Sequence, residues 1–203
     1  MNKNYLRIGI ALIFSISLLS IKAQNTLDFK WGVFTPVNNN LKNAFVNSNS
    51  FSISLLHAIA RSEFSAGITF SHQIYNSKDQ FFKPGYSSDL SIHNYLITGR
   101  YNFIHKRDLK LYAAIDAGLN RINNKATQNG INTEYKNSGI TTSIAIGADV
   151  KISGRLSLGA NIQDQYSYTH RMQFDESVHV NYLNCIAGNI GVSFLLGTKR
   201  TGK

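Results

Sequence analysis

The stretch VHVNYLNCIAGNIGVSFLL, Val178 to Leu196, decides how the chain is read. Taken at alternate positions, Val178, Val180, Tyr182, Ile186, Ile190, Val192, Phe194 and Leu196 fall on one face. His179, Asn181, Cys185, Ala187, Asn189, Gly191 and Ser193 fall on the other, with Leu183 and Leu195 as apolar intruders. A strand in a soluble protein runs about 5–6 residues, whereas this alternation continues through most of the stretch. One face carries large apolar side chains and the other mostly small polar ones. That is the two-residue pattern of a strand with lipid on one side and a packed polar lumen on the other.

Seven further segments alternate in the same way: Thr26–Val37, Ser50–Ala60, Phe64–Tyr75, Leu90–Ile104, Asp108–Ile122, Gly139–Ile152 and Arg155–Tyr168. No segment after Gln24 sustains a helical period. Long and short connections take turns. Asn38–Asn49, Asn76–Asp89, Asn123–Ser138 and Thr169–Ser177 are long and polar, and Arg61–Glu63, His105–Arg107 and Ser153–Gly154 are tight. A membrane barrel has this rhythm, with long loops outside the cell, short periplasmic turns and an even strand count. Both prolines sit where a ladder can spare a donor, Pro36 near a strand end and Pro84 in a loop. The expected fold is all-β: an eight-stranded antiparallel up-and-down transmembrane β-barrel over residues 24–196. Closing the sheet satisfies every backbone donor, which hydrocarbon demands. Asp164 and Asn184 break the pattern by landing on the apolar face. The first is expected near an interface or bulge, and a β-bulge is expected beside the second.

The segment before the barrel is different. A basic start with Lys3 and Arg7 leads into the apolar run Ile8–Leu19, and Ser20-Ile21-Lys22-Ala23 precedes Gln24. This reads as a signal peptide, residues 1–23, cleaved after Ala23. The apolar run falls short of the roughly 20 residues a membrane-spanning helix needs. Loss of Lys3, Arg7 and Lys22 with the leader lowers the formal charge from +10 to +7. The remaining basic residues are scattered over turns and tail, so an exported chain of this kind suits a phosphate-rich membrane surface or simple solubility, and no nucleic acid partner is expected. The one cysteine, Cys185, allows no internal disulfide. Residues 197–203 form a short basic tail expected in the periplasm.

An eight-stranded interior is just wide enough for side chains to fill it, which argues against a general porin. Asp28, Lys30, Arg100, Lys110, Asp116, Asp149 and Lys151 all point inward in this register, with Tyr112 and Gln163. Buried charges require partners, so an internal ionic network centred on Lys30, Arg100, Asp116, Asp149 and Lys151 is expected; an ion or proton path is the sharper alternative. No cofactor and no metal site are expected, since the six histidines form no ligand motif. His93, His170 and His179 fall near Ser87, Ser88, Asp89, Asp175 and Glu176 at the expected outer rim. Solvated or interfacial histidines are the plain reading, and a catalytic set of His170, His179 and Asp175 the alternative. Tyr75, Tyr95, Tyr166, Tyr168 and Tyr182 near the outer ends, and Phe64, Phe103 and Phe194 near the inner ends, suit aromatic girdles. The cluster Phe81-Phe82-Lys83-Pro84-Gly85-Tyr86 is expected to fold onto the rim as packing, with contact to a partner as the alternative.

The segment Asn189-Ile190-Gly191-Val192-Ser193-Phe194-Leu195-Leu196 resembles the C-terminal signal by which assembly machinery recognises outer-membrane barrels. Asn189, Gly191, Phe194 and Leu196 carry the likeness. Over residues 24–196 the chain resembles the small eight-stranded outer-membrane barrels of Gram-negative bacteria, the OmpX and OmpA-barrel type. The resemblance implies a non-enzymatic, monomeric integral outer-membrane protein. Its partners would be lipopolysaccharide, the barrel assembly machinery and an external protein or glycan met by the long loops. The alternative it implies is a lipid A hydrolase or acyltransferase at the extracellular rim. A soluble lipocalin-like barrel would need an apolar inward face, and here that face is Ser, Gly, Asn and charge.

Overall fold

The computed structural model describes residues 25–59, 63–78, 85–106, 108–173 and 179–196. Eight strands close into one barrel: β1 (Asn25–Pro36), β2 (Ser48–Ala58), β3 (Phe64–Asn76), β4 (Tyr86–His105), β5 (Leu109–Gln128), β6 (Ile131–Lys151), β7 (Leu156–Gln173) and β8 (His179–Leu196). Each strand runs antiparallel to its neighbours, and β1 pairs with β8 to complete the ring. A short helix, α1 (Asn39–Ala44), lies between β1 and β2. The chain enters and leaves the barrel at one end, the terminal end; the long connections gather at the other, the loop end. Residues 1–23 and 197–203 lie outside the described residues.

The outer wall is apolar around the ring. Ile97, Ile115, Ile144, Ile162 and Ile190, on β4 to β8, are each more than 60 % exposed. Phe29, Phe51, Ile53 and Ile68 complete the band on β1 to β3. A soluble monomer rarely exposes such a continuous apolar surface. Lipid chains are the solvent that suits it, because the closed ring leaves no strand edge in the band unpaired. Tyr166 and Tyr182 stack at 5.4 Å near the loop end, and Phe29 meets Phe194 edge-on at 6.3 Å near the terminal end. Asp164 is exposed between Ile144 and Ile186, one outward position below Tyr166.

Several expectations are corrected by the structure. Asn123–Ser138 is a β-ribbon and not a loop, because β5 and β6 stay paired as far as Gln128 and Ile131. The chain reverses through Asn129 (φ 49°) and Gly130 (φ 80°), the two left-handed positions that a tight hairpin turn requires and Asn-Gly supplies. Its residues are mostly polar on both faces, with only Ala126 as a buried apolar side chain near its base, so no apolar alternation betrays the ribbon. Asn38–Asn49 contains α1, whose Leu41 and Ala44 are buried together with Phe45.

The lumen is not polar throughout. Phe34, Leu90, Ile92, Ile122 and Leu183 point inward at the loop end and join Leu41 and Phe45 in one apolar cluster. Leu183, an intruder by pattern, thus belongs to a core. Tyr75 joins it as well: it is fully buried inside the barrel, not part of a girdle. Val180 faces inward against expectation, because the β7–β8 register shifts between Tyr168/Met172 and Tyr182/Val180. That irregularity lies nearer the loop end than the bulge expected at Asn184. Asn184 stays half-buried in the ladder, cross-strand from Tyr166, and its carbonyl accepts the Val37 N–H at 2.8 Å. At the height of Tyr166 and Tyr182 a polar side chain meets the interface rather than the hydrocarbon middle.

Candidate functional site

Inward positions of β1, β4 and β6 bring Asp28, Arg100 and Asp149 together inside the terminal-end half. The Arg100 guanidinium pairs with Asp28 Oδ2 through Nη2 and with Asp149 Oδ2 through Nη1 at 3.4 Å. All three side chains are buried. Such a set holds only because each charge has its partner, since removing one partner leaves an uncompensated charge out of water. Tyr112 on β5 packs beside it: Arg100 Cζ lies 4.2 Å from the ring centroid, and Lys30 Nζ donates to the phenolic oxygen at 3.2 Å. Asn161 Nδ2 donates to the same oxygen at 3.4 Å.

Asp116 is placed differently. Its carboxylate accepts from Thr98 Oγ1 at 2.7 Å and Ser143 Oγ at 2.6 Å, and among the described residues it forms no ion pair. Ser143 in turn accepts from Gln163 Nε2 at 2.9 Å. Lys151 is half-buried and lines the terminal-end mouth with Lys110, Arg155 and His105, and no ion pair among the described residues includes Lys151 itself. Arg100 stands between two cavities, one of about 40 Å³ on its loop-end side and one of about 120 Å³ opening toward the terminal end. Both have room for water. Farther up, Gln73 donates to Gln165 at 2.9 Å, and Tyr75 Oη reaches Gln73 Oε1 and Cys185 Sγ at 3.2 Å each. Above these lies the apolar cluster under α1. The lumen is therefore stacked in layers: a basic mouth, a charged partition, a hydroxyl and amide network, and an apolar cap.

The residues of the final strand are also placed. Asn189 is buried in the lumen and donates to Asn161 Oδ1 at 2.7 Å. Gly191 lies opposite Lys30 on one side and Gly159 on the other. Phe194 and Leu196 face outward at the closing seam, opposite Leu27 and Asn25. His170 falls in β7 and His179 opens β8 opposite Gln173, whereas Asp175 lies outside the described residues, as do Phe81, Phe82, Lys83 and Pro84.

His93 is not a rim residue of the lumen. It faces outward from β4 and stacks on His72 of β3, with ring centroids 4.4 Å apart and Nδ1 atoms 3.2 Å apart. The strand pairing sets Arg121 of β5 on the other side of His93. Face parity alone sends both histidines outward; that they meet follows from the β3–β4 register, which no local motif encodes.

No family model and no curated protein sequence matches the chain. Solved structures do. A major outer membrane protein from Thermus thermophilus superposes with a TM-score of 0.57 at 8% identity, over 86% of this chain and 99% of that one. Neisserial surface protein A gives 0.52 at 14% identity, over 87% and 97%. Ail, the attachment invasion locus protein of Yersinia pestis, in complex with the heparin analogue sucrose octasulfate, gives 0.52 at 8% identity, over 86% and 99%. The fold is that of the small eight-stranded outer-membrane β-barrels.

Proposed function

We propose that this protein is an integral outer-membrane barrel of a Gram-negative cell, exported by a leader cleaved after Ala23. It works as a monomer and without catalysis. Assembly machinery reads Asn189, Gly191, Phe194 and Leu196, and the loop end faces outward to contact lipopolysaccharide or an external protein or glycan. One observation carries this reading: an apolar outer wall surrounds a lumen crossed by the Arg100 partition and closed above it by the apolar cap, so contact surfaces lie outside the barrel. The likeness of fold to Ail, a protein named for attachment and crystallised with a sulfated sugar, supports a role in surface contact.

Membrane fractionation together with migration on SDS gels before and after boiling tests the location. The expected result is an outer-membrane product whose mobility changes on heating. A soluble periplasmic product refutes the proposal. In planar bilayers the purified protein is expected to give no steady porin-sized conductance, because side chains fill an eight-stranded lumen. Stable open channels would refute the sealed lumen.

A further inference from the structure

We infer that His72, His93 and Arg121 form a docking site on the outer wall for the phosphoryl group of an outer-leaflet lipid. The inference rests on the membrane reading above and names a site for one of its partners. Strand pairing fixes a cross-strand row, Phe51–His72–His93–Arg121, that passes from an aromatic side chain to a cation. Immediately below runs the row Tyr95–Leu119–Ile140–Tyr168–Tyr182, apolar in the middle and aromatic at both ends. Aromatic girdles mark the boundary between hydrocarbon and headgroups. Along its own strand His93 stands one outward step beyond Tyr95, and Arg121 one outward step beyond Leu119, on the headgroup side of that girdle.

The charge pattern selects the occupant. Higher on the ribbon the cations are matched: Lys125 lies between Asp89 and Glu134 in the ladder, and Lys136 Nζ meets Glu134 Oε2 at 2.7 Å. Lys136 and Asn123 together hold the Glu134 carboxyl below its usual range, so it stays ionised. The row below has no such match. Arg121 is exposed, its lateral neighbours are His93 and Ser138, and Leu119 and Asn123 are its outward neighbours along the strand. His72 is flanked by Phe51 and His93, with Phe70 below and Ile74 above. No carboxylate occupies any of these positions.

One of the two imidazoles also stands ready to donate. In the Nδ1 contact one ring donates and the other accepts; the accepting ring, when neutral, carries its proton on Nε2 and presents it as a donor. Phe51 at 5.5 Å from His72 and Phe70 at 6.3 Å from His93 hold the pair in place. A planar guanidinium beside an imidazole donor matches the oxygens of a phosphate monoester.

The test places the full-length mature protein in phosphatidylcholine vesicles that contain a small share of fluorescently labelled lipopolysaccharide, with energy transfer from Trp31 as the readout. Trp31 is the only tryptophan and lies in the same row, cross-strand from Phe51. Wild type is expected to enrich the label over its bulk share. Arg121→Gln and the double variant His72→Gln/His93→Gln are each expected to lower that enrichment at least threefold. Lys125→Gln, whose lysine already faces carboxylates, is expected to leave it unchanged. Equal enrichment in all variants overturns the site, as does an equal loss in Lys125→Gln. Dephosphorylated lipopolysaccharide enriched as strongly as the native lipid also overturns it. Competition by inorganic phosphate without any lipid enrichment overturns the assignment to a lipid. Vesicle insertion, checked by the mobility change on heating, is scored first: a chain that does not insert refutes the membrane reading, and one that inserts but shows no enrichment refutes only the site.

Discussion

Gly147 of β6 lies directly against the ring of Tyr112: a Cβ on Gly147 would come within 2.5 Å of the tyrosine Cζ and its phenolic oxygen. The glycine is thus what lets the largest inward side chain of β5 lie flat across the lumen. From there it receives Lys30 and covers Arg100.

Gly147→Val is expected to push Tyr112 out of this place and to lower stability by about 1–3 kcal/mol, the usual cost of overpacking. Tyr112→Phe keeps the ring and loses only the bonds from Lys30 and Asn161. It is expected to cost about 1 kcal/mol. Urea unfolding in lipid or detergent, followed by the mobility change on gels, reads both. If Gly147→Val unfolds like wild type, Tyr112 does not depend on that space.

The charged partition gives a sharper test. Arg100→Met leaves Asp28 and Asp149 facing each other without their cation, and is expected to cost about 3–5 kcal/mol. Adding Asp28→Asn and Asp149→Asn removes the stranded charges and is expected to recover most of that loss. A triple variant no more stable than Arg100→Met would mean that the guanidinium matters for its packing on Tyr112 and not for its charge.

The lipid face was legible almost entirely from alternation. Ile144 and Ile190 stand outward and Ser143 and Asn189 inward, as the two-residue period requires. Alternation fails where both faces carry similar side chains: the ribbon from Asn123 to Ser138 is mostly polar on each side, and Leu90 and Ile92 point into a core as apolar as the wall outside. The inward direction of Asp28, Arg100 and Asp149 was also legible. Which of them meet was not, because cross-strand register depends on loop lengths and closure. The same holds for His72 and His93, far apart in sequence and in contact through one register.

Outward positions make the membrane reading quantitative. Ile68→Arg or Ile144→Arg is expected to cost about 2–4 kcal/mol in lipid, the penalty for arginine near the bilayer middle. Asp164→Leu changes the wall in the opposite sense, since Asp164 is exposed between Ile144 and Ile186. It is expected to stabilise the inserted barrel by about 1 kcal/mol, because acids on a lipid face cost less than arginine. Should Ile144→Arg and Asp164→Leu leave unfolding in lipid unchanged, the wall does not face hydrocarbon.

The last strand separates assembly from stability. Gly191 lies at the closing seam, where an added Cβ would collide with the carbonyl oxygen of Phe29 and come within 2.8 Å of Lys30 Cγ. The backbone of β1 cannot yield without opening the ring, so Gly191→Val is expected to destabilise the finished barrel and to block its closure. Phe194 is a different case. It faces outward, and its main ring contact is the edge of Phe29. Phe194→Ala is therefore expected to refold from urea with a loss of about 3 kcal/mol at most, the lower range for a phenylalanine truncation. In cells the same variant is expected to lower outer-membrane yield and leave periplasmic or degraded material, if Asn189 to Leu196 is what the assembly machinery reads. Deletion of Thr198 to Lys203 is expected to leave insertion intact. If that deletion abolishes assembly while Phe194→Ala assembles at the wild-type level, the machinery reads the tail and not the strand.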